Sequence, residues 1–253
     1  MKRSKPTQRS KTAQPNQIMI RQEDRVFVLT GAGISAESGL ATFRGAAGLW
    51  EGERVEDVAS PRGWKRDPER VWRFYSLRRK AAVDAEPNPA HFALAELERK
   101  LGQRFFLCTQ NVDNLHERAG SRNLVHMHGE LFQSCCESCA REPFPDMRFY
   151  QSQAEHPFCE CGGRIRPNIV WFGERPFHMA RIFEELQRCS VMLVVGTSGV
   201  VQPAASFVAW AGERGDLPAA STYYVGPEHP ANAAAFTRVF RGRAGELLPK
   251  LFW

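Results

Sequence analysis

Val26-Phe27-Val28-Leu29-Thr30, running into Gly31-Ala32-Gly33-Ile34-Ser35-Ala36, is the stretch whose reading decides the fold. Five uncharged, β-prone residues in a row read as a strand buried on both faces, as in a parallel sheet. The glycines that follow mark a tight turn into a helix. The turn fits G-x-G-x-x-[G/A], in which small residues let the backbone approach a pyrophosphate and the N–H groups of the helix start face the anion. A strand–helix turn without a ligand would use the same glycines, so the match alone is weak. The acid expected about 20 residues later, for a ribose hydroxyl, is ambiguous among Glu51, Glu53 and Glu56, and an ordinary dehydrogenase is not well supported.

Outward from this turn, similar apolar runs recur at Phe105-Phe106-Leu107-Cys108-Thr109, at Val191 to Gly196, and at Thr222-Tyr223-Tyr224-Val225. Helical spacing lies between them. Pro68–Ala82 carries Val71, Phe74, Tyr75 and Arg78, Pro89–Lys100 carries Phe92, Leu94 and Leu97, and Phe177–Gln187 carries Ile182, Phe183 and Leu186. Strands alternating with helices predict a parallel sheet covered on both faces. Residues 131–166 are rich in Cys, Pro and charge and read as a small inserted module. With 43% apolar and 25% charged residues among 253, the composition excludes a wholly disordered or fibrous chain. No run approaches the roughly 18 apolar residues of a membrane span.

The net charge of +6 has a local origin. Residues 1–22 hold Lys2, Arg3, Lys5, Arg9, Lys11 and Arg21 and no acid, leaving 28 basic residues against 28 acidic in the rest. A nucleic-acid role for the body is therefore not expected. The basic segment is too polar to order itself and lacks the apolar core of a secretory signal. Its acid-free composition leaves an organelle address open. It shows no apolar face at helical spacing, so a cytoplasmic location is expected.

Seven cysteines, an odd number without a signal peptide, point to a reducing compartment. Cys136-x2-Cys139, nineteen residues, then Cys159-x-Cys161-Gly162-Gly163 reads as a tetrathiolate zinc site, with Cys135 competing for the place of Cys136. Cys108 and Cys189 sit in apolar runs and read as core.

The longer string from Gly31 to Gly45, GAGISAESGLATFRG, resembles the NAD-binding signature of the sirtuins, the NAD-dependent protein deacylases. Thr109-Gln110-Asn111-Val112-Asp113-Asn114-Leu115-His116 resembles their second motif and His126-Met127-His128-Gly129 their third. Arg166-Pro167-Asn168-Ile169-Val170-Trp171-Phe172-Gly173-Glu174 and Gly196-Thr197-Ser198 complete the set in order. The resemblance, which runs from about Arg25 to the C-terminus, implies an α/β fold: a doubly wound, Rossmann-like parallel sheet carrying NAD. Into it are inserted a small zinc-binding module (131–166) and a helical cofactor- and acyl-binding segment (46–88). Residues 23–253 would form the catalytic domain, behind a disordered basic tail at 1–22, with the active site in the cleft between the lobes.

In the family the acyl oxygen of an acyl-lysine attacks the ribose carbon bearing nicotinamide, and nicotinamide leaves. A histidine then acts as base on the ribose hydroxyls, and water releases lysine and 2′-O-acyl-ADP-ribose. His128 falls where that base falls; from the residues alone His126, on the same strand face, is its rival. The resemblance makes Asn111 and Asp113 the holders of nicotinamide and its ribose, with Gln110 beside them. It assigns further cofactor contacts to Gly31, Ala32, Gly33, Ser35, Ala36, Glu37, Thr42, Phe43, Arg44 and Trp50, and to Gly196, Thr197 and Ser198. One departure is visible: where the family commonly places Asn after the last strand, this chain reads Tyr224-Val225-Gly226-Pro227, putting that ribose contact in doubt. Ala244 matches a late adenine contact. The zinc is implied to be structural, since four protein ligands leave no open position.

Tyr75 and Arg78, at i and i+3, point from one helix face. A phenol and a guanidinium together can grip a carboxylate, and the spacing resembles the Tyr-x-x-Arg of class III sirtuins, which remove succinyl and malonyl groups. The bland alternative makes Arg78 one more solvent-facing charge beside Arg73, Arg79 and Lys80. The acyl-lysine protein is expected to bind as an extended strand between Trp171–Glu174 and Gly199–Val201, with Val170, Trp171, Phe172, Gly173, Glu174 and Gly199 as contacts and little sequence selectivity. Rival readings are a deacetylase, a protein ADP-ribosyltransferase, a zinc-ribbon nucleic-acid module and an inactive NAD sensor. A monomer is expected.

Overall fold

The computed structural model describes residues 17–42, 49–50, 52–213 and 217–252, with Leu49, Trp50 and Gln153 in backbone only. The expected contacts of Phe43 and Arg44, and the side chains of Trp50 and Glu51, lie outside these described residues. In chain order the elements are β1 (Val26–Thr30), α1 (Ala32–Ser35), β2 (Leu49–Trp50), β3 (Glu53–Arg54), α2 (Val55–Val58), α3 (Pro61–Arg66), α4 (Pro68–Asp84) and α5 (Pro89–Leu101). Next come β4 (Phe105–Thr109), α6 (Leu115–Arg118), β5 (Leu124–His126), β6 (Gly129–Cys136), β7 (Phe144–Pro145) and β8 (Ile165–Ile169). The chain closes with α7 (Met179–Arg188), β9 (Val191–Val195), α8 (Phe207–Gly212), β10 (Ser221–Gly226), β11 (Arg238–Arg241) and α9 (Ala244–Leu251).

Six strands form one parallel sheet in the order β11-β10-β9-β1-β4-β5. The alternation within β1 shows why it needs no polar face. Val26 and Val28 join Phe105, Leu107, Val191 and Leu193 under α5 and α9. Phe27 and Leu29 join Phe106, Cys108, Met192 and Val194 under α7 and α8. Cys108 and Cys189 are buried there, as expected of core thiols. Phe92 and Phe183, counted in the helical patterns, are instead about half exposed, because each lies one residue off its helix's buried stripe. Because β1 is flanked by β4 on one side and β9 on the other, the chain reverses direction across the sheet at its carboxyl edge, where open α/β sheets bind ligands.

A second lobe sits over that edge. Its sheet, β7-β6-β8, is antiparallel. It shares a core with α2 to α4: Val58, Trp64, Val71, Trp72 and Tyr75 pack with Leu131, Tyr150, Ile165 and Trp171. Helix α4 starts on Asp67, whose carboxylate accepts the Arg70 N–H at 2.9 Å, with Pro68 in the first turn. Arg79, a surface charge only in the bland alternative for this helix, is fully buried. The reason is geometric: sheet and helices enclose most of α4, and only residues such as Arg73, Leu77 and Lys80 reach water. Glu53, one of the candidate ribose acids, is engaged by Arg70, whose Nε donates to it at 3.0 Å. Among the described residues no helix is long and apolar enough to cross a membrane.

Candidate active site and cysteine cluster

Gly31 and Gly33 are small for a reason the motif alone does not give. A Cβ on Gly33 would lie 2.7 Å from Gly196 Cα, and one on Gly31 would lie 2.9 Å from Gly196 O. The two loops that end β1 and β9 therefore touch backbone to backbone, and Gly196 takes φ +64°, where glycine is at ease. The helix that follows the turn is a single turn, continued by a 3-10 segment at Ala36–Ser38. Asn88, the cap of α5, ties this region down by donating to Ile34 O at 2.7 Å and Ser38 Oγ at 3.0 Å.

A cleft opens between the lobes. The β1 side supplies Ala32 and Ser35, the loop after β4 supplies Gln110, Asn111 and Asp113, and the link between β5 and β6 supplies His128. Helix α4 contributes Tyr75 and Arg78, and the stretch after β8 contributes Val170, Trp171, Phe172, Gly173 and Glu174. Thr197, Ser198 and Gly199 line a smaller adjoining hollow that shares Gln110 and Val201 with the cleft. The remaining expected cofactor residues lie apart. Glu37 accepts the Gly245 N–H at 2.9 Å, Val225 and Ala244 have core side chains, Pro227 is exposed, and Thr42 borders the undescribed stretch. At Gly226 a Cβ would meet the Tyr224 hydroxyl at 2.4 Å. That hydroxyl donates to Thr197 O at 3.1 Å, so the departure at 224–227 braces the Gly196–Ser198 loop instead of presenting a side chain there.

The polar groups in the cleft are held rather than loose. Asn111 Nδ2 donates to Ser35 Oγ (3.0 Å), which donates to Asp113 Oδ2 (3.1 Å), and Asp113 Oδ1 accepts the Leu115 N–H (3.2 Å). Burial raises the Asp113 pKa against the pull of those bonds. The Asn111 N–H reaches Thr109 Oγ1, itself bonded to Thr30 Oγ1, which His116 contacts. His128 Nδ1 lies 3.1 Å from Gln110 O. A carbonyl only accepts, so the neutral ring carries its proton on Nδ1 and keeps Nε2 as its basic nitrogen. Burial lowers the His128 pKa, against the carbonyl's upward pull, which keeps the ring neutral near pH 7. His126 has both nitrogens engaged, with Asn111 O (2.8 Å) and with Glu117 Oε1 (2.7 Å), whereas only Nδ1 of His128 is bonded among the described residues.

The family model for the Sir2 family matches residues 31–203. The chain belongs to the Sir2 family. An NAD-dependent protein deacylase of Pasteurella multocida (strain Pm70) is 47% identical over 233 residues, covering 89% of this chain and 95% of that protein. One from Escherichia coli (strain K12) is 44% identical over 237 residues, covering 90% and 81%. Among solved structures, a Sir2 homologue in complex with NAD aligns at a TM-score of 0.80 with 43% identity, over 90% of this chain and 88% of that one.

For a Sir2-family chain the cleft's donor set fits NAD: a fixed amide, a carboxylate and a histidine converge beside two glycine loops that only Cβ-free residues can build. The cysteine cluster fits zinc on distances alone. Sγ of Cys136, Cys139, Cys159 and Cys161 all lie within 4.8 Å of one another, with Cys136–Cys161 at 3.6 Å and Cys139–Cys159 at 3.8 Å. A tetrahedron with Zn–S bonds of about 2.3 Å has edges of about 3.8 Å. The Ser138 N–H points at Cys136 Sγ (3.3 Å) and the Gly163 N–H at Cys161 Sγ (3.4 Å), as thiolates require. Cys135 lies outside the cluster, because strand alternation turns it to the other face of β6. We expect a chelator that strips this metal to unfold the second lobe and abolish activity, monitored by circular dichroism and metal content; full activity at zero bound metal would contradict a structural zinc.

The sequence reading assigned no role to much of the cleft's apolar wall, including Leu40, Ala59, Val112 and Ile169. Val112 was within reach as the one apolar residue between Asn111 and Asp113. Ala59 carries no local signal at all, since only tertiary packing brings the end of α2 to the cleft.

Proposed function

We propose that this protein removes acyl groups from protein lysines with NAD as co-substrate, prefers succinyl and malonyl groups, also removes acetyl, and forms nicotinamide and 2′-O-acyl-ADP-ribose. Residues 23–253 act as one catalytic unit in this reading. The observation that carries the acyl preference is the burial of Tyr75 and Arg78 on one face of α4, inside the cleft. The Tyr75 hydroxyl accepts the Trp171 Nε1–H at 3.1 Å, so its own proton is available to a carboxylate oxygen. Arg78 supplies the opposite charge. An acetyl group offers that cation no anion, whereas a succinyl or malonyl carboxylate can take a charge-assisted hydrogen bond from it.

NAD brings the ribose carbon to which the acyl oxygen adds as nicotinamide departs. The chain's own part is positioning and proton transfer. Asn111 and Asp113, cross-linked through Ser35, hold the nicotinamide and ribose end. His128 takes a ribose hydroxyl proton on Nε2 while Gln110 O steadies the imidazolium through Nδ1–H. The acyl-lysine peptide lies extended against residues 170–174. There the N–H groups of Val170, Phe172 and Glu174 are bonded to His128 O, Ala59 O and Trp171 O, and that of Trp171 to Glu174 Oε2. Peptide pairing on that side therefore relies on carbonyls and on Gly173, which favours low sequence selectivity.

The deciding variant is Arg78→Met, assayed with succinyl- and acetyl-lysine forms of one peptide. The succinyl kcat/KM should fall roughly tenfold to 150-fold, chiefly through KM, the range of a charge-assisted hydrogen bond. Acetyl turnover should be spared. If both substrates fell alike, Arg78 would be serving the fold and not the acyl group.

A further inference from the structure

The two histidines around Met127 grip two consecutive carbonyls: His128 Nδ1 meets Gln110 O and His126 Nδ1 meets Asn111 O. They differ at the second nitrogen, where His126 Nε2 faces the Glu117 carboxylate of α6 at 2.7 Å. A carbonyl and a carboxylate both only accept, so His126 satisfies both only with a proton on each nitrogen. We infer that His126, held as an imidazolium by Glu117, is a positioning residue that clamps the Asn111 carbonyl and so fixes the nicotinamide end of the cleft. This rests on the role proposed above for Asn111.

The clamp completes a set of three anchors on one residue. The Asn111 N–H is held by Thr109 Oγ1, its side-chain amide by Ser35 Oγ, and its carbonyl by His126. The first two are neutral hydrogen bonds; the third is charge-assisted and is the stronger kind. His126 itself is buried, while Glu117 is about one-third exposed, so the ring is immobile and its counter-charge sits at the rim. It does not touch the cleft, whose lining includes His128 but not His126.

Charged and titratable groups face His126 from every side: Glu117 and His116 on α6, Glu130 on β6, Asp113 in the loop after β4, and His178 ahead of α7. Burial pulls the His126 pKa down, but the Glu117 carboxylate, together with the Asn111 carbonyl and Glu130, makes the net shift upward. A raised pKa means the clamp is complete below it and is lost as pH rises through it. NAD affinity should therefore decline on the alkaline side, and removing the Glu117 charge should bring that decline to lower pH.

The experiment uses the full-length, zinc-loaded chain and compares wild type, His126→Phe, Glu117→Gln and Asn111→Ala, each checked by melting temperature. His126→Phe should raise KM for NAD about tenfold or more, the range of a lost charge-assisted bond, and weaken product inhibition by nicotinamide alongside. KM for the peptide should stay put. Glu117→Gln, at a position about one-third exposed, should show its alkaline loss of NAD affinity at lower pH than wild type. A folded His126→Phe with wild-type KM for NAD, or a Glu117→Gln profile that superimposes on wild type, overturns the clamp. Asn111→Ala separates the two layers. If it too leaves NAD and nicotinamide binding unchanged, the Asn111 role fails first; if it is impaired while the clamp variants are not, only the clamp fails.

Discussion

His128→Ala should lose about 10²- to 10⁴-fold in kcat, the usual contribution of a positioned general base, with the fold intact. The loss falls on kcat because the side chain's chemical asset is a lone pair, while its Nδ1 is bonded to Gln110 O. The same ring sets a pH signature. Its pKa is lowered by burial, and in the proposed role the neutral form is the base, so the midpoint of the acid-side fall in wild-type rate should lie below the ordinary histidine value. The alanine variant should lack that acid limb. A limb that survives in His128→Ala would move the base to another group.

The largest effect on stability is expected from Arg79→Met. Its Nε donates to Leu131 O at 2.8 Å, Nη1 to Arg148 O at 2.7 Å and Nη2 to Ser134 Oγ at 3.1 Å. Nη1 also lies 3.4 Å from Asp146 Oδ2, and both side chains are essentially sealed from water. Asp146 in turn accepts from Ser134 Oγ (2.7 Å) and Tyr150 Oη (3.0 Å), so one guanidinium organises the join between α4 and the zinc lobe. Removing one partner of a buried pair costs about 3–5 kcal/mol, because the other charge stays behind. For a chain of this size that is a melting-temperature drop on the order of 10 °C. The double variant Arg79→Met, Asp146→Asn should recover part of it. A drop below about 2 °C would mean that water or a neighbouring cation replaces Arg79 without cost.

These two residues also show where sequence was legible and where it was not. Four strands of the main sheet announce themselves as uncharged β-prone runs, and β1 and β4 end where the apolar run ends, since a strand buried on both faces has no tolerance for a charge. The two edge strands do not: Leu124–His126 is only three residues, and Arg238–Arg241 carries an arginine at each end, as a solvent-facing edge permits. The four zinc cysteines are readable because a metal fixes their spacing. Arg79 is not, because its neighbours Arg73, Arg78 and Lys80 look alike in one dimension, and the carbonyls that receive it come from β6 and Arg148, more than fifty residues away. The His126–Glu117 pair escaped for a similar reason: a histidine two residues from another looks like its rival until the second nitrogen is seen to be taken. The motif glycines, read as room for a pyrophosphate, admit in this structure the neighbouring Gly196 loop.

Wild-type protein alone gives a sharp test of NAD-dependent deacylation with a preference for acidic acyl groups. One peptide carrying succinyl-lysine or acetyl-lysine is incubated with and without NAD, and nicotinamide, acyl-ADP-ribose and free lysine peptide are quantified by mass spectrometry. Products should be stoichiometric and strictly NAD-dependent, with a kcat/KM for the succinyl peptide at least about tenfold above that for acetyl. Acetyl turnover equal to or faster than succinyl would contradict the role given to Tyr75 and Arg78, and lysine release without NAD would contradict the reaction itself.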